Sequence, residues 1–449
     1  MDGHWIKNWD TLAITLNRKI ALEIIESGLD AIKTENVIAS LVVLSGEKLS
    51  IQGEDFDLAK FKKIKVVGFG KSSCQAALAL EKILGDKITS GAVIGLEKVE
   101  CKYIETFAGT HPRATDANVV AGKKIYEIIK DSTEEDLIIV LVSGGGSALL
   151  CYPESEYIQG AKLYDEFLKT GGTISEMNTI RKHLSLLKGG GLAKIAYPAT
   201  VVGLIFSDVP GNIFKNVASG ATYKDDTTVS DVEKIIAENN LGEFDLIETP
   251  KEDKYFEKVH NFVLVSNKTA VEAMEKKSEE LGLKVNIVST ELYDEVDKAL
   301  EKIFGNVSDV GHLLKQVYNV SAPGDVVRQQ GGRPTSVTLA AGEPRVVVPK
   351  NAGKGGRNLH MGLEAVKMKL VKDDSVFISF GSDGMDNSDA AGAIVDKSTM
   401  EKIVKFGLDV NDYATRFDSY DFFQKTGDII MTGPTGANVS DLMILLTKN

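Results

Sequence analysis

The run Leu137–Val142 is apolar without a break, and it is followed at once by Ser143, Gly144, Gly145, Gly146 and Ser147. A buried parallel strand reads as such a run, and a glycine loop opening into a helix leaves backbone N–H groups for an anion. The pattern predicts a phosphate cradle lined by these five residues. For one isolated loop the plainer reading is a tight turn that needs glycine only for its backbone angles. Here, however, glycine or Asp/Ser loops also close the apolar runs VVGFGKS (66–72), VVGLIFSDVPG (201–211), VFISFGSDG (376–384) and IIMTGPTGAN (429–438). In open α/β sheets ligands bind at the carboxyl ends of strands, so repeated polar exits argue for one large anionic ligand shared among them.

Charged side chains stand beside these loops. Lys71 in GFGKSS is not part of a Walker A loop, because the residue five before Gly70 is Lys65 and not glycine. A cation at a helix N-terminus opposes the helix dipole, so its placement there calls for an anion. Arg357 follows Gly353, Gly355 and Gly356. Glycines let backbone approach a ligand closely, and a guanidinium grips carboxylate or phosphate with two parallel hydrogen bonds. The acidic candidates are Asp208 in SDVPG and Asp383, Asp386 and Asp389 in GSDGMDNSD. Carboxylates at a phosphate site hold Mg²⁺ or take the proton of an attacking hydroxyl. Asx-turn or N-cap service is the competing role, and it is expected of at least one of Asp386 and Asp389. Arg181, Lys182 and Lys188 precede glycines 189–191 and serve either phosphate or solvent. His111, before Pro112, reads as structural. The candidate site residues around a phosphate-bearing ligand are therefore Lys71, Arg357, Asp208 and Asp383, with Asp208 and Asp383 open to metal or base duty, and the cradle with Lys188, Gly189, Gly190 and Asn358.

These loops need a scaffold. Strands are expected at Lys65–Gly68, Ala92–Ile94, Leu137–Val142 and Thr200–Phe206, alternating with helices at Ser72–Leu84, Ala117–Ile129, Ile158–Leu168 and Ile174–Leu187, after a long amphipathic helix at Thr11–Ile32. That alternation means a Rossmann-like parallel sheet with helices on both faces. A second series starts near Asn261, with helices at Lys268–Leu281 and Tyr293–Phe304. The charged stretch before it reads as a linker, giving domains 1–257 and 258–449. Between Ser321 and Gly356 short β-rich runs, Ser336–Ala340 and Arg345–Val348, alternate with Gly/Pro turns, so the second sheet should be mixed, with a helix starting near Asn358.

The 449 residues exceed one ordinary core, and 43% hydrophobic with 26% charged content is that of a globular protein. Fifty-two basic against sixty-four acidic residues give a net charge of −12, which argues against nucleic-acid and anionic-membrane partners. No apolar stretch approaches the roughly 18 residues of a membrane span, and the polar N-terminus is unlike a signal peptide, so a cytoplasmic protein is expected. Cys74, Cys101 and Cys151 lack CxxC spacing and the six histidines lack HExxH, so a transition-metal enzyme is not expected. A homodimer is the default for a soluble enzyme.

Several long motifs occur in a recognisable order: Asp136–Leu150, HLSLLKGGGLA (183–193), SDVPG with ASGAT (218–222), GEP (342–344), GKGGRN (353–358), GSDGMDNSDAAGAIVD (381–396) and TGPTGANVSDL (432–442). From Gly68 to Leu442 the chain resembles class II glycerate kinases, the glycerate 2-kinase family that ends in a MOFRL domain, here about 335–445. The resemblance implies two α/β domains with the active site in the cleft between them. It also implies phosphorylation of D-glycerate, usually at the 2-hydroxyl, using ATP and Mg²⁺, with a lysine and an arginine at the positions of Lys71 and Arg357. The chain departs from the family pattern in reading GGRNLH for GGRNQE, Ala221 for proline, Asn212 after SDVPG, and a DGMDNSD loop one residue shorter than usual. The alternatives are a kinase giving 3-phosphoglycerate or using another hydroxy acid, a hydroxypyruvate reductase, and a non-enzymatic phosphometabolite-binding protein. A reductase calls for a nicotinamide fingerprint, and no complete GxGxxG follows an early strand.

Overall fold

The computed structural model describes residues 3–170, 173–207, 214–314 and 334–448. Two compact units form, one of Thr34–Ser266 and one of Met1–Lys33 with Asn267–Asn449. In the first, a small antiparallel meander, β1 (Val42–Ser45), β2 (Lys48–Ile51) and β3 (Glu54–Asp57), precedes the main sheet. That sheet is built from β4 (Lys63–Phe69), β5 (Ile88–Gly95), β6 (Glu105–Ala108), β7 (Asp136–Ser143), β8 (Thr200–Phe206) and β9 (Val259–Val265).

Every neighbour pair in this sheet is parallel, in the order β6-β5-β4-β7-β8-β9. This is the Rossmann order, in which crossovers on either side of the reversal place helices on opposite faces. All eight residues of β7 are buried, as its unbroken apolar run requires of a central parallel strand. Phe69, Ile94, Ile138, Val140 and Ile205 pack with Ile125 of the helix Asp116–Ile129 and Leu192 of the helix Gly191–Ala196.

Three details of this unit differ from the sequence reading. Strand β9 was expected to open the second domain, but it pairs with β8 as the sixth strand of the first sheet. The charged stretch before it is no loose tether either: Thr249 Oγ1 bonds Asp225 at 3.1 Å, and Lys251 reaches the Asp225 carbonyl at 3.0 Å. The helix expected over Ile174–Leu187 stops at Lys182, because buried His183 turns its ring to the Ile247 carbonyl at 2.9 Å.

The second unit holds β10 (Lys284–Leu292), β11 (Ser336–Gly342), β12 (Val376–Gly381), β13 (Gly392–Asp396), β14 (Ile429–Ile430) and β15 (Asp441–Thr447). Their order is β10-β11-β15-β12-β13-β14, parallel between β10 and β11 and antiparallel elsewhere. The mixed sheet thus matches the expectation, and its inner strands β12 and β15 are buried throughout. Arg345–Val348 forms no strand, only a single bridge from Arg345 to Glu295, and Val347 is 85% exposed. The expected turns before Pro334 fall on 315–333, outside the described residues.

The first long helix breaks into Trp9–Leu12 and Leu16–Ile32, with Thr15 accepting the Arg18 amide as N-cap. It belongs to the second unit and not to the first. No helix among the described residues is long and apolar enough to cross a membrane.

Candidate functional site

In the first unit the strand order reverses between β4 and β7. At such a switch point the loops leaving the two strands diverge and open a crevice at their carboxyl ends. The loops concerned are Gly70–Ser72 and Ser143–Ser147, which the sequence had singled out, and they are fastened together. The Lys71 amide donates to the Gly144 carbonyl at 2.8 Å. Ser143 Oγ accepts the Ser72 amide at 3.0 Å and lies 3.1 Å from Ser73 Oγ. Ser143 is therefore a buried strut between the loops.

Crowding explains the glycines. Gly145 has φ +77°, and a Cβ there would stand 3.0 Å from Lys71 Cγ and 3.1 Å from His111 Cδ2. His111, read as structural, thus borders the cradle beside Lys71. Gly146 starts the short helix Gly146–Leu149, and the amides of Gly146 and Ser147 meet no backbone acceptor among the described residues. These are first-turn donors of the kind that hold anions. Ser147 Oγ lies 2.8 Å from Ser219 Oγ. Ser219 and Gly220 in turn accept the amides of Gly189 and Gly190, both at 2.9 Å. The Lys188–Gly190 loop is thereby brought against the cradle, while those two amides are spent on the fold itself.

The cations near this loop have different environments. Lys182 pairs with Asp225 at 2.9 Å. Although burial resists it, hydrogen bonds from His183, Thr227 and Lys182 hold Asp225 far below the usual carboxylate range. Lys188 is buried with its ammonium on the equally buried Glu156. Arg181 bonds Asn178 Oδ1 at 3.2 Å and meets no carboxylate within ion-pair distance among the described residues. Beside the cradle a cavity of about 210 Å³ is lined by Arg113, Ser147, Glu156, Arg181 and Lys188, among others.

In the second unit Arg357 opens the helix Arg357–Lys367. Its Nε donates to Asp441 and its Nη2 lies 3.0 Å from Glu343. Burial alone would weaken the charge, but Asp441 and Glu343 outweigh it and hold the guanidinium more firmly protonated than usual. Asp386 caps this helix, accepting the amides of Asn358 at 3.1 Å and Leu359 at 2.7 Å. Asn358 is buried; its Oδ1 receives Ser379 Oγ at 2.7 Å and its Nδ2 reaches Asp386 at 3.3 Å. Asp389 pairs with Lys354 at 2.9 Å. Both aspartates thus do structural work, one more than the sequence required. Asp383 Oδ1 accepts the Met385 amide at 3.1 Å.

Asp208 lies outside the described residues. Leu359 is core, and His360 stacks on Phe417 at 4.0 Å. Among the described residues no group of three or more His, Cys, Asp or Glu side chains could by itself hold a metal. The sequence reading missed the neutralising acids Asp441, Glu343 and Glu156. Glu343 stood in a quoted motif, GEP, but its partner is fixed only by the fold.

Residues 20–247 match a family described as a domain of unknown function, DUF4147, and residues 336–441 match the MOFRL family. The chain is 32% identical to a glycerate 2-kinase from Pyrococcus horikoshii over 96% of this chain and 98% of that one. It is 33% identical to a putative hydroxypyruvate reductase from Agrobacterium vitis, over 85% of this chain and 98% of the relative. A crystal structure of glycerate kinase from Thermotoga maritima superposes with a TM-score of 0.79 at 29% identity, covering 96% of this chain and 99% of that one.

Proposed function

Since this chain belongs to the MOFRL-containing glycerate kinase family, we propose that it transfers the γ-phosphoryl group of ATP to the 2-hydroxyl of D-glycerate, giving 2-phosphoglycerate and ADP. The observation that carries the reading is the meeting of Lys71 with the Ser143–Ser147 loop at the switch point of the parallel sheet.

Phosphoryl transfer asks a protein for positioning and charge neutralisation more than for covalent chemistry. In this reading the Gly146 and Ser147 amides donate to phosphate oxygens, and Lys71 neutralises charge growing on the transferring group. Arg357, kept charged by Asp441 and Glu343, is a second cation suited to a phosphate or a carboxylate. Lys188, Gly189, Gly190 and Asn358 support the nucleotide site by fixing loops and the Arg357 helix. Mg²⁺ is commonly held by one or two carboxylates together with phosphate oxygens and water, and Asp383 and Asp208 are the candidate carboxylates. When bound, Mg²⁺ would supply positive charge to offset that of the phosphate groups. Asp208 or Asp383 takes the proton of the attacking hydroxyl.

The name of one relative keeps a reductase reading in view. The exit of β4 has Gly68 and Gly70 of a dinucleotide fingerprint, but Ser73 stands at the third glycine position. A coupled assay of the purified protein with ATP, Mg²⁺ and D-glycerate, with the product identified by ³¹P NMR, decides between the readings. ADP release with 2-phosphoglycerate is the expected result. A 3-phosphoglycerate signal would move the acceptor hydroxyl, and NADH oxidation with hydroxypyruvate but no ADP release would replace the kinase.

A further inference from the structure

The cavity beside the Ser143–Ser147 loop has a chemistry of its own. Three cations line it, Arg113, Arg181 and Lys188, against one carboxylate, Glu156, in a chain whose net charge is −12. Two of the cations are already matched: Arg113 with Asp165 at 2.5 Å and Lys188 with Glu156. Arg181 is not, since its guanidinium makes one hydrogen bond to the neutral Asn178 and meets no carboxylate among the described residues. Burial weakens its hold on the proton, with only the more distant Glu156 and Tyr164 acting against that. A withdrawn guanidinium without a counter-ion is costly, and a carboxylate on its two-pronged face would complete it.

Size narrows the ligand. At about 210 Å³ the cavity lies below the roughly 300 Å³ at which pockets for drug-sized molecules begin, so it suits a small acid and not a nucleotide. Its remaining wall is partly apolar, with Ala148, Cys151 and Leu184. The Cys151 thiol is pushed up to about 12 by burial and stays neutral. Ser147 belongs both to this wall and to the cradle.

We propose that this cavity is the acceptor pocket, in which Arg181 clamps the carboxylate of a small hydroxy acid whose hydroxyl faces the cradle at Ser147. The assignment rests on the phosphoryl-transfer reading and deepens it.

The test is calorimetric titration of the full chain with D-glycerate alone, and separately with inorganic phosphate and with a non-hydrolysable ATP analogue and Mg²⁺. Arg181→Gln is expected to weaken D-glycerate binding about tenfold to a hundredfold, the range for a charge-assisted hydrogen bond, and to leave nucleotide binding within about twofold. Gly160→Leu supplies a second, independent probe. Gly160 lines the cavity from the helix Glu154–Thr170, and a Cβ there meets nothing within 4 Å. Leucine is also the better helix former, so the plug should block the acid without unfolding the protein. D-glycerate binding as tight as the parent's in both variants overturns the pocket. So does loss of inorganic phosphate binding in place of D-glycerate binding, which would mark a phosphate site. The two readings fail separately. Parent protein that binds D-glycerate through Arg181 but releases no ADP keeps the pocket and loses the kinase; parent turnover with unaffected variants does the reverse.

Discussion

A Cβ added to Gly70 would lie 2.3 Å from both the carbonyl oxygen and the Oγ of Ser143. Gly70 also has φ +127°, which side chains rarely adopt. The β4 and β7 exits can approach this closely only through a glycine, and the approach lets Ser143 receive the Ser72 amide. Gly70→Ala should therefore destabilise the protein by about 3 kcal/mol, combining backbone strain with overpacking. Urea unfolding checks this, with Gly160→Ala as the control that should be neutral or slightly stabilising. Equal stability of the two variants would show that the loops are not locked together.

Lys71 carries the charge argument at the cradle. Lys71→Met keeps the aliphatic stem beside Gly145 and removes the ammonium. Turnover should fall about a hundredfold or more, with the melting temperature almost unchanged because the side chain is only partly buried. A variant retaining a third of the parent's kcat would place the lysine away from the reacting phosphoryl group.

Arg357 needs a more careful experiment, because the cation proposed for the reaction is also the partner of a buried carboxylate. Asp441 is buried and takes the Arg357 Nε hydrogen bond, so Arg357→Ala strands a carboxylate in the interior. Removing one partner of such a pair costs about 3–5 kcal/mol. Adding Asp441→Asn to the same chain should restore most of that stability, measured by denaturant unfolding, without restoring turnover. Recovered activity in the double variant would reduce Arg357 to a structural residue.

How far the sequence could be read depended on whether a signal was local. β8 was legible residue for residue as Thr200–Phe206 because a central parallel strand is one apolar run. The β1–β3 meander escaped because its strands are short, and β3 buries only Phe56. Strand β9 was assigned to the wrong unit since nothing in VHNFVLV says that its partner is β8, nearly sixty residues earlier in register. The Val346–Val348 run has high β-propensity, but no neighbouring strand takes it up, and propensity without pairing does not make a sheet. The site shows the same division. Glycine loops with Lys71 and Arg357 were visible in short motifs, whereas Asp441 lies 84 positions from Arg357 and Glu156 lies 32 from Lys188.

Asp386 gives the protein a pH signature. Burial pushes its carboxyl up to about 6, against the hydrogen bonds from Leu359 and Asn358 and with added repulsion from Asp441. An unfolded aspartate titrates near about 3.9. Between those values the native chain holds a proton that the unfolded chain has lost. The group's contribution is therefore fully present below pH about 4 and is lost as the pH rises through about 6, a swing of up to about 3 kcal/mol. Unfolding free energies of the parent and Asp386→Asn at pH 4.5 and 7 should differ in slope by that order, the parent losing ground as pH rises. Parallel slopes would mean that Asp386 is ionised throughout.

The N-terminal segment contributes to the second unit through Arg18, whose side chain is fully buried. Its Nε and Nη2 grip the two oxygens of Asp396 at 2.8 and 2.7 Å, and its Nη1 holds Asp428 at 2.8 Å. Asp396 is itself the N-cap of the helix Lys397–Phe406, so one arginine ties the first long helix to the end of β13. Burial pushes the Asp396 carboxyl up, but the hydrogen bond and charge of Arg18 prevail and hold it below its usual range. Its contribution is accordingly present above pH about 4 and is lost as the pH falls through the depressed native value. Arg18→Met fills similar space but leaves two buried carboxylates, one of them with Lys402 at 2.7 Å as its remaining partner. The loss should be about 3–5 kcal/mol at pH 7 and should shrink on acidification as Asp396 takes up a proton. Thermal melts of the parent and Arg18→Met across pH 3.5–7 measure both the size and the sign. A difference that is small at pH 7, or that grows towards acid, would mean that the helix is held by its apolar face alone.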